Sequence, residues 1–164
     1  MTRFIVLFLI ISLCLSLIGC APTENGDVAF YYSRKTDQFQ YFDKDGVIRC
    51  EFRDLAGHRN DLRYMVGLYL AGPLDEGLTH PFPRATHLLS VNQENNHVSI
   101  ELSGHSSILT DSAFTLGCAC LTLTCLEFTG CQQVTVTSAD RTITMDAEQI
   151  LLFDAMPQHE NTGG

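Results

Sequence analysis

From Phe4 to Leu17 the chain is an apolar run broken only by Ser12, Cys14 and Ser16, and a single cation, Arg3, stands ahead of it. A bilayer core about 30 Å thick needs roughly 20 apolar residues as a helix, so this run of about fourteen suits the central region of an export signal better than a permanent span. Cleavage after Gly19 would leave 145 of the 164 residues. About 110 of these carry the periodicity of a globular domain, enough for one core and too few for two. The formal charge of −9 becomes −10 once Arg3 is lost, and ten Lys and Arg scattered against nineteen Asp and Glu cannot build a polyanion-binding face. Nucleic acid is therefore excluded as a partner.

The cut site is legible in Leu17-Ile18-Gly19-Cys20, which resembles the bacterial lipobox: small residues precede a cysteine whose thiol is lipidated before the signal is removed. Cys20 would become the first residue, carrying diacylglycerol and an N-acyl chain. One acyl chain holds a protein only marginally, at roughly 0.8 kcal/mol per buried methylene, whereas two or three anchor it stably. An ordinary signal peptide cleaved nearby, or an uncleaved short anchor, is the alternative. Ala21 to Asp27 is polar and turn-rich and reaches no more than about 25 Å, so the domain is expected at the outer face of the cytoplasmic membrane. A net-negative module should not adhere to anionic headgroups, which leaves proteins or wall components as its neighbours.

Val28 to Ser33 is rich in strand formers; Phe39 to Phe42, a turn at Asp43 to Gly46, and a strand from Val47 to Phe52 follow. Asp43-Lys44-Asp45-Gly46 lacks the further oxygen ligands of a calcium loop and reads as a plain turn. Arg59 to Ala71 spaces Leu62, Met65, Val66 and Tyr69 along one helical face, with Gly72-Pro73 as its stop. Thr86 to Val91 and His97 to Ser103 form a hairpin, the second strand alternating Val98, Ile100 and Leu102 with polar residues. Phe114, Cys118, Leu121, Cys125 and Phe128 make one continuous helical stripe that ends at Gly130. A final hairpin alternates Val134, Val136, Ile143 and Met145 with threonines. From Asp146 the pattern fades, and Gln158 to Gly164 reads as a disordered tail.

Leu70-Ala71-Gly72-Pro73, Gly77-Leu78, Pro81-Phe82-Pro83, Thr86 to Val91, Val98 to Ser103 and Cys120 to Gly130 follow one another in an order and spacing that resembles the GerMN domain of spore germination and sporulation lipoproteins. The resemblance spans Val28 to Met145. Its structural motif positions here are Gly72, Pro73, Gly77, Pro83, Leu89, Ser90, Leu121, Leu123, Phe128 and Gly130. It implies an α+β fold, two helices packed on one face of a small, mainly antiparallel sheet, similar to the ring-building domains of sporulation complexes. It further implies association with other envelope proteins or with further copies, and no catalytic residues; the spacing of the cysteines and histidines leaves no expected metal, and no cofactor is expected beyond the covalent lipid. The lipoprotein for which the family is named carries two such domains in tandem, whereas this chain has room for one.

Cys50, Cys118, Cys120, Cys125 and Cys131 are an odd set, which no complete internal disulfide framework can use. On one helix Cys118 and Cys125 stand about 10 Å apart, too far for a disulfide or a shared zinc ion, and Cys120 points nearly the opposite way. Small polarizable core residues are the expectation, with one disulfide through Cys50 or Cys131 as the alternative. His105-Ser106-Ser107 beside Asp111 has the letters of a hydrolase triad without its strand-turn-helix elbow, and reads as the loop leading into the second helix. His58, His80, His87 and His97 fall on separate elements, His159 lies in the tail, and Asp75-Glu76 reads as part of a turn. The functional expectation is a lipid-anchored, non-catalytic interaction domain. Its alternatives are an envelope thiol or metal enzyme built on the cysteine cluster, and a sensor-coupled or wall-binding lipoprotein.

Overall fold

The computed structural model describes residues 27–35 and 46–154. The export run, Cys20, the tether up to Gly26, the Phe39–Phe42 segment and the Gln158–Gly164 tail lie outside them. β1 (Val28–Arg34) pairs antiparallel with β2 (Ile48–Arg53), and short β3 (Leu78–Thr79) joins the other edge of β1 at Ser33 and Arg34. α1 (Leu62–Leu70) lies between β2 and β3 in the chain. The second sheet has the order β4 (Leu88–Glu94), β5 (His97–Leu102), β6 (Gln133–Ser138), β7 (Arg141–Asp146). Two-residue turns close its hairpins at Asn95-Asn96 and Ala139-Asp140, while β5 and β6 run parallel. A parallel pair requires a long crossover. A 3-10 helix (Gly104–Ile108) and α2 (Asp111–Thr129) supply it.

The fold is α+β as expected, but with two sheets rather than one and with a third helix, α3 (Ala147–Asp154), where the sequence pattern fades. The helix ends follow local chemistry. Asp61 caps α1 by accepting from the Tyr64 amide at 2.9 Å, so the helix starts past the Arg59 that periodicity suggested. Thr110 caps α2 through the Ala113 amide, and Gly130 closes it at φ 65°, a left-handed conformation that suits glycine.

α2 is 19 residues long and apolar enough, by length and composition, to cross a membrane. Its apolar surface goes instead to strands on two sides: β1 packs along it, and β6 and β7 pack elsewhere on its circumference. This is why Cys120, opposite the expected stripe, is as fully buried as Cys118, Leu121 and Cys125, and why Gly117, Thr122 and Thr124 are buried too. Phe128, at the end of the stripe, is only half-buried. Thr124 has a specific task. The Tyr31 amide donates to its Oγ1 at 2.9 Å, and the same hydroxyl donates to the Cys120 carbonyl at 3.0 Å. A helix hydroxyl thus satisfies a β1 amide beyond the reach of two-residue β3.

The first sheet is fastened to α1 by one buried cation. Glu51 and Arg53 share a face of β2 because side chains two apart along a strand point the same way. The Arg53 side chain is 4% exposed and that of Glu51 11%. Arg53 donates to Glu51 through Nε at 2.6 Å and through Nη2, to the Gly72 carbonyl at 2.5 Å and to the Leu68 carbonyl at 3.2 Å. Its guanidinium carbon stands 5.0 Å from the Phe30 ring centre and 5.7 Å from that of Tyr32, in cation–π contact. The Tyr32 ring stacks on Tyr69 at 4.8 Å, and its hydroxyl donates to the Tyr69 carbonyl at 3.1 Å. The Tyr69 hydroxyl is buried with no partner among the described residues.

Two predictions follow from this geometry. Arg53→Leu should destabilise the domain by about 3–5 kcal/mol in urea unfolding because it strands the Glu51 carboxylate, whereas Glu51→Leu/Arg53→Leu should recover much of that loss. Tyr69→Phe should be neutral or stabilising, since it deletes an orphan hydroxyl, while Tyr32→Phe should cost about 1 kcal/mol. Equal losses for the two tyrosines would refute the assignment.

Candidate partner-docking surface

The expected motif positions are spread through the fold and serve its architecture. Gly72 has φ 98°, and a Cβ there would stand 2.5 Å from His80 Cδ2, so only glycine allows that close approach. The His80 ring clasps the turn, Nε2 donating to the Leu70 carbonyl at 2.6 Å and Nδ1 accepting from the Phe82 amide at 3.2 Å. Pro73 leads into a loop whose Leu74 and Asp75 amides both donate to Glu51. Gly77 closes that loop by donating to Asp75 Oδ1 at 2.7 Å, so Asp75-Glu76 belongs to a turn, as its sequence suggested. Leu89 is the extra residue of a β-bulge and is 47% exposed, and Ser90 Oγ beside it donates to Glu101. Leu121 is core, Leu123 and Phe128 are half-buried, Gly130 is the helix cap, and Pro83 borders a surface cleft. Gly19 and Cys20 lie outside the described residues.

Cys118, Cys120, Cys125 and Cys131 are buried thiols, and Cys50 is half-buried. Burial pushes the Cys118 and Cys120 thiols up to about 12, and Cys125 higher still, the reverse of what a thiol nucleophile requires. Among the described residues no group of three or more His, Cys, Asp or Glu is placed to hold a metal ion.

The letters of the triad also part company. Ser106 is fully buried with its hydroxyl against Ser138 Oγ, and exposed Asp111 pairs with Arg141 at 3.7 Å. His105 instead faces Ser103, its Nδ1 3.1 Å from Ser103 Oγ. His87, 18 residues earlier, is brought beside it, with ring centres 5.8 Å apart. The cause is hairpin register: Leu88 lies opposite Leu102, and the Ser103 amide then donates to the His87 carbonyl at 2.9 Å. Extending the hairpin pairing back from its turn brings His87 near this segment, but only the bulge at Leu89 sets Leu88 opposite Leu102.

Hydrogen bonding fixes a proton on one ring nitrogen of His87: its Nδ1 contacts the Ala85 carbonyl at 3.2 Å and must donate. Ser103 Oγ accepts from the His87 amide at 3.1 Å and shares a second hydrogen bond, also 3.1 Å, with His105 Nδ1. Beside the pair, Pro83, Ala85, Gly104, His105, Ser107 and Ile108 line an open cleft of about 400 Å³. The arrangement sets imidazole nitrogens beside a largely apolar surface, with Ser103 buried behind them.

The raised thiols make stability depend on pH. Unfolded thiols ionise near their ordinary value of 9.0, whereas folded Cys118 and Cys120 keep their protons to about 12. Between those limits the folded state binds more protons, so stability should be flat below about pH 8.5 and fall as pH rises through this window. A urea midpoint constant from pH 8 to 11 would contradict the burial. A thiol reagent at pH 8 should modify Cys118, Cys120, Cys125 and Cys131 only after unfolding.

Comparison with known proteins then places the chain. Residues 30–144 match the family model Germane, described as sporulation and spore germination. No curated protein matches the sequence. A crystal structure of a candidate lipoprotein from Clostridium perfringens is similar, with a TM-score of 0.48 and 15% identity over 80% of this chain and 95% of that one. With the match running from β1 into β7, the chain belongs to the Germane family of sporulation and spore germination domains.

Proposed function

We propose that the mature chain is a lipoprotein held by acyl chains on Cys20 at the outer face of the cytoplasmic membrane. There it acts without catalysis, as an interaction domain in envelope complexes of sporulation or spore germination. The observation that carries this reading is the family match over residues 30–144. Two features support it. The first strand starts at Val28, within a short tether of Cys20, which keeps the domain near the lipid. The groups that could do chemistry are committed elsewhere: the α2 thiols to the core, Ser106 to Ser138, Asp111 to Arg141. Its partners are other envelope proteins or further copies of the same chain, and it needs no cofactor beyond the covalent lipid.

Cys20→Ser should abolish incorporation of a labelled fatty acid and, because lipidation precedes removal of the signal, leave the export run attached, without changing the melting temperature of the domain. Wild-type protein recovered unacylated from the medium would refute the anchored reading. In-cell crosslinking that captured no envelope protein and no second copy would refute the interaction reading.

A further inference from the structure

The second sheet turns one face to solvent, and no Lys or Arg stands on it. We propose that this face docks a lysine- or arginine-rich surface of another extracytoplasmic protein. The proposal rests on the interaction-domain reading and names the surface and the partner chemistry which that reading leaves open.

Strand register assembles the face. Side chains directly opposite each other in paired strands point to the same side of a sheet. Val98 with Val134 and Met145, and Ile100 with Val136, take the core side, so the residues that alternate with them take the other. One outward row runs Ser90, Glu101, Thr137, Thr142, where Ser90 donates to Glu101 at 3.0 Å and the two threonine hydroxyls meet at 3.2 Å. The next carries Asn92, Ser99 and the Thr135–Thr144 pair, bonded at 2.7 Å. The last, beside the Asn95-Asn96 turn, carries Glu94, His97, Gln133 and Asp146.

A solvated sheet face ordinarily mixes both signs of charge, and exposed edge strands commonly carry lysine. Here the edge strand β4 has none, and the formal charges of the face are the carboxylates Glu94, Glu101 and Asp146. Glu94 accepts from the Asn92 side chain and Asp146 from the Gln149 amide, each at 2.8 Å, and no Lys or Arg among the described residues pairs with any of the three. The imbalance is local to this half of the domain. Described residues 85–154 hold eight Asp and Glu against one cation, Arg141, which is engaged with the Ser106 and Leu109 carbonyls and the Phe114 ring. The described residues before them hold six against seven. The negative field is therefore gathered on the half that carries the second sheet.

The occupant follows from spacing and sign. Strands lie about 4.8 Å apart and outward residues about 6.8 Å apart along a strand, so the three carboxylates stand roughly 14–17 Å from one another at the backbone. That is too wide to share one metal ion, and it suits cations spread over a flat protein surface. The serine and threonine hydroxyls between them keep lone pairs that accept from the same ammonium or guanidinium groups. A second copy fits poorly, because its own second sheet repels this one and its other half is nearly balanced in charge.

The test places p-benzoylphenylalanine singly at Ser99 and Thr142 on the face, and at Leu74 and Ile108 away from it, in the full-length chain in cells, followed by irradiation and sequencing of the adducts. The proposal expects adducts from 99 and 142 to an exported protein, through a segment rich in Lys or Arg. Glu94→Lys/Glu101→Lys should lower their yield by about tenfold or more, and Glu94→Gln/Glu101→Gln severalfold. Glu76→Lys/Glu127→Lys makes the same change in net charge at exposed positions off the face, and should leave the yield unchanged. All three purified variants should melt as wild type; if the lysine pair on the face melts lower, the near-isosteric glutamine pair carries the comparison. Adducts from 74 or 108 alone would overturn the docking face while leaving the interaction reading intact. Adducts from 99 or 142 to a second copy, or through a segment without Lys or Arg, would overturn the occupant, as would equal losses from the lysine pairs on and off the face. Adducts from none of the four would overturn both readings.

Discussion

The first sheet, the end of α1 and the loop that follows are held by the buried guanidinium of Arg53. A cation this far from water is tolerable only if its charge is matched and its protons are used. Glu51 supplies the charge, the Leu68 and Gly72 carbonyls accept further protons, and the Phe30 and Tyr32 rings present their faces. The consequence reaches past the ion pair, because Glu51 also accepts from the Leu74 and Asp75 amides. The Gly72-Pro73 turn, one of the pieces whose order and spacing resemble the family, is thus shaped by a strand that precedes it by some twenty residues. Gly72 contributes the carbonyl and the left-handed turn, and the missing side chain leaves room for His80.

α2 is the other organising element, and its surroundings explain its composition. Helices that pack on a single sheet show one apolar stripe and one polar face. This helix meets β1 on one side and β6 and β7 on another, so residues off the stripe must also be buried. Cysteine, glycine and threonine suit that position because they are small, and a threonine hydroxyl can return its proton to the carbonyl one turn back. Thr124 does this and also accepts the Tyr31 amide, joining helix to strand without a charged group. The cysteine cluster is accordingly a packing feature, with its thiols driven by burial toward the protonated form.

Much of this was legible in the order of residues. The alternation of Val98, Ile100 and Leu102, the stripe from Phe114 to Leu121 and Cys125, the cap at Gly130 and the stop at Gly72 are local signals, and the elements formed where those signals lie. The ion pair was not legible. Glu51 and Arg53 look like ordinary polar residues of a half-exposed strand, and only the arrival of Leu68 and Gly72 from the next helix makes their face an interior one. The third helix escaped notice because Ala147 to Asp154 is short and its apolar periodicity weak. The neighbourhood of His87 and His105 was available in principle, through the hairpin register, but a β-bulge at Leu89 shifts the pairing before it reaches them.

The sequence by itself determined the class of fold, most of its elements, the cap at Gly130 and the family, because each depends on residues close together in the chain. Tertiary structure alone decided that the strands form two sheets with α2 packed against both, that Arg53 is buried, and that Ile108 is left exposed. Hydrophobic periodicity reports which face of an element avoids water. It carries no information about which distant element covers that face, and here the choice of cover separates core from surface.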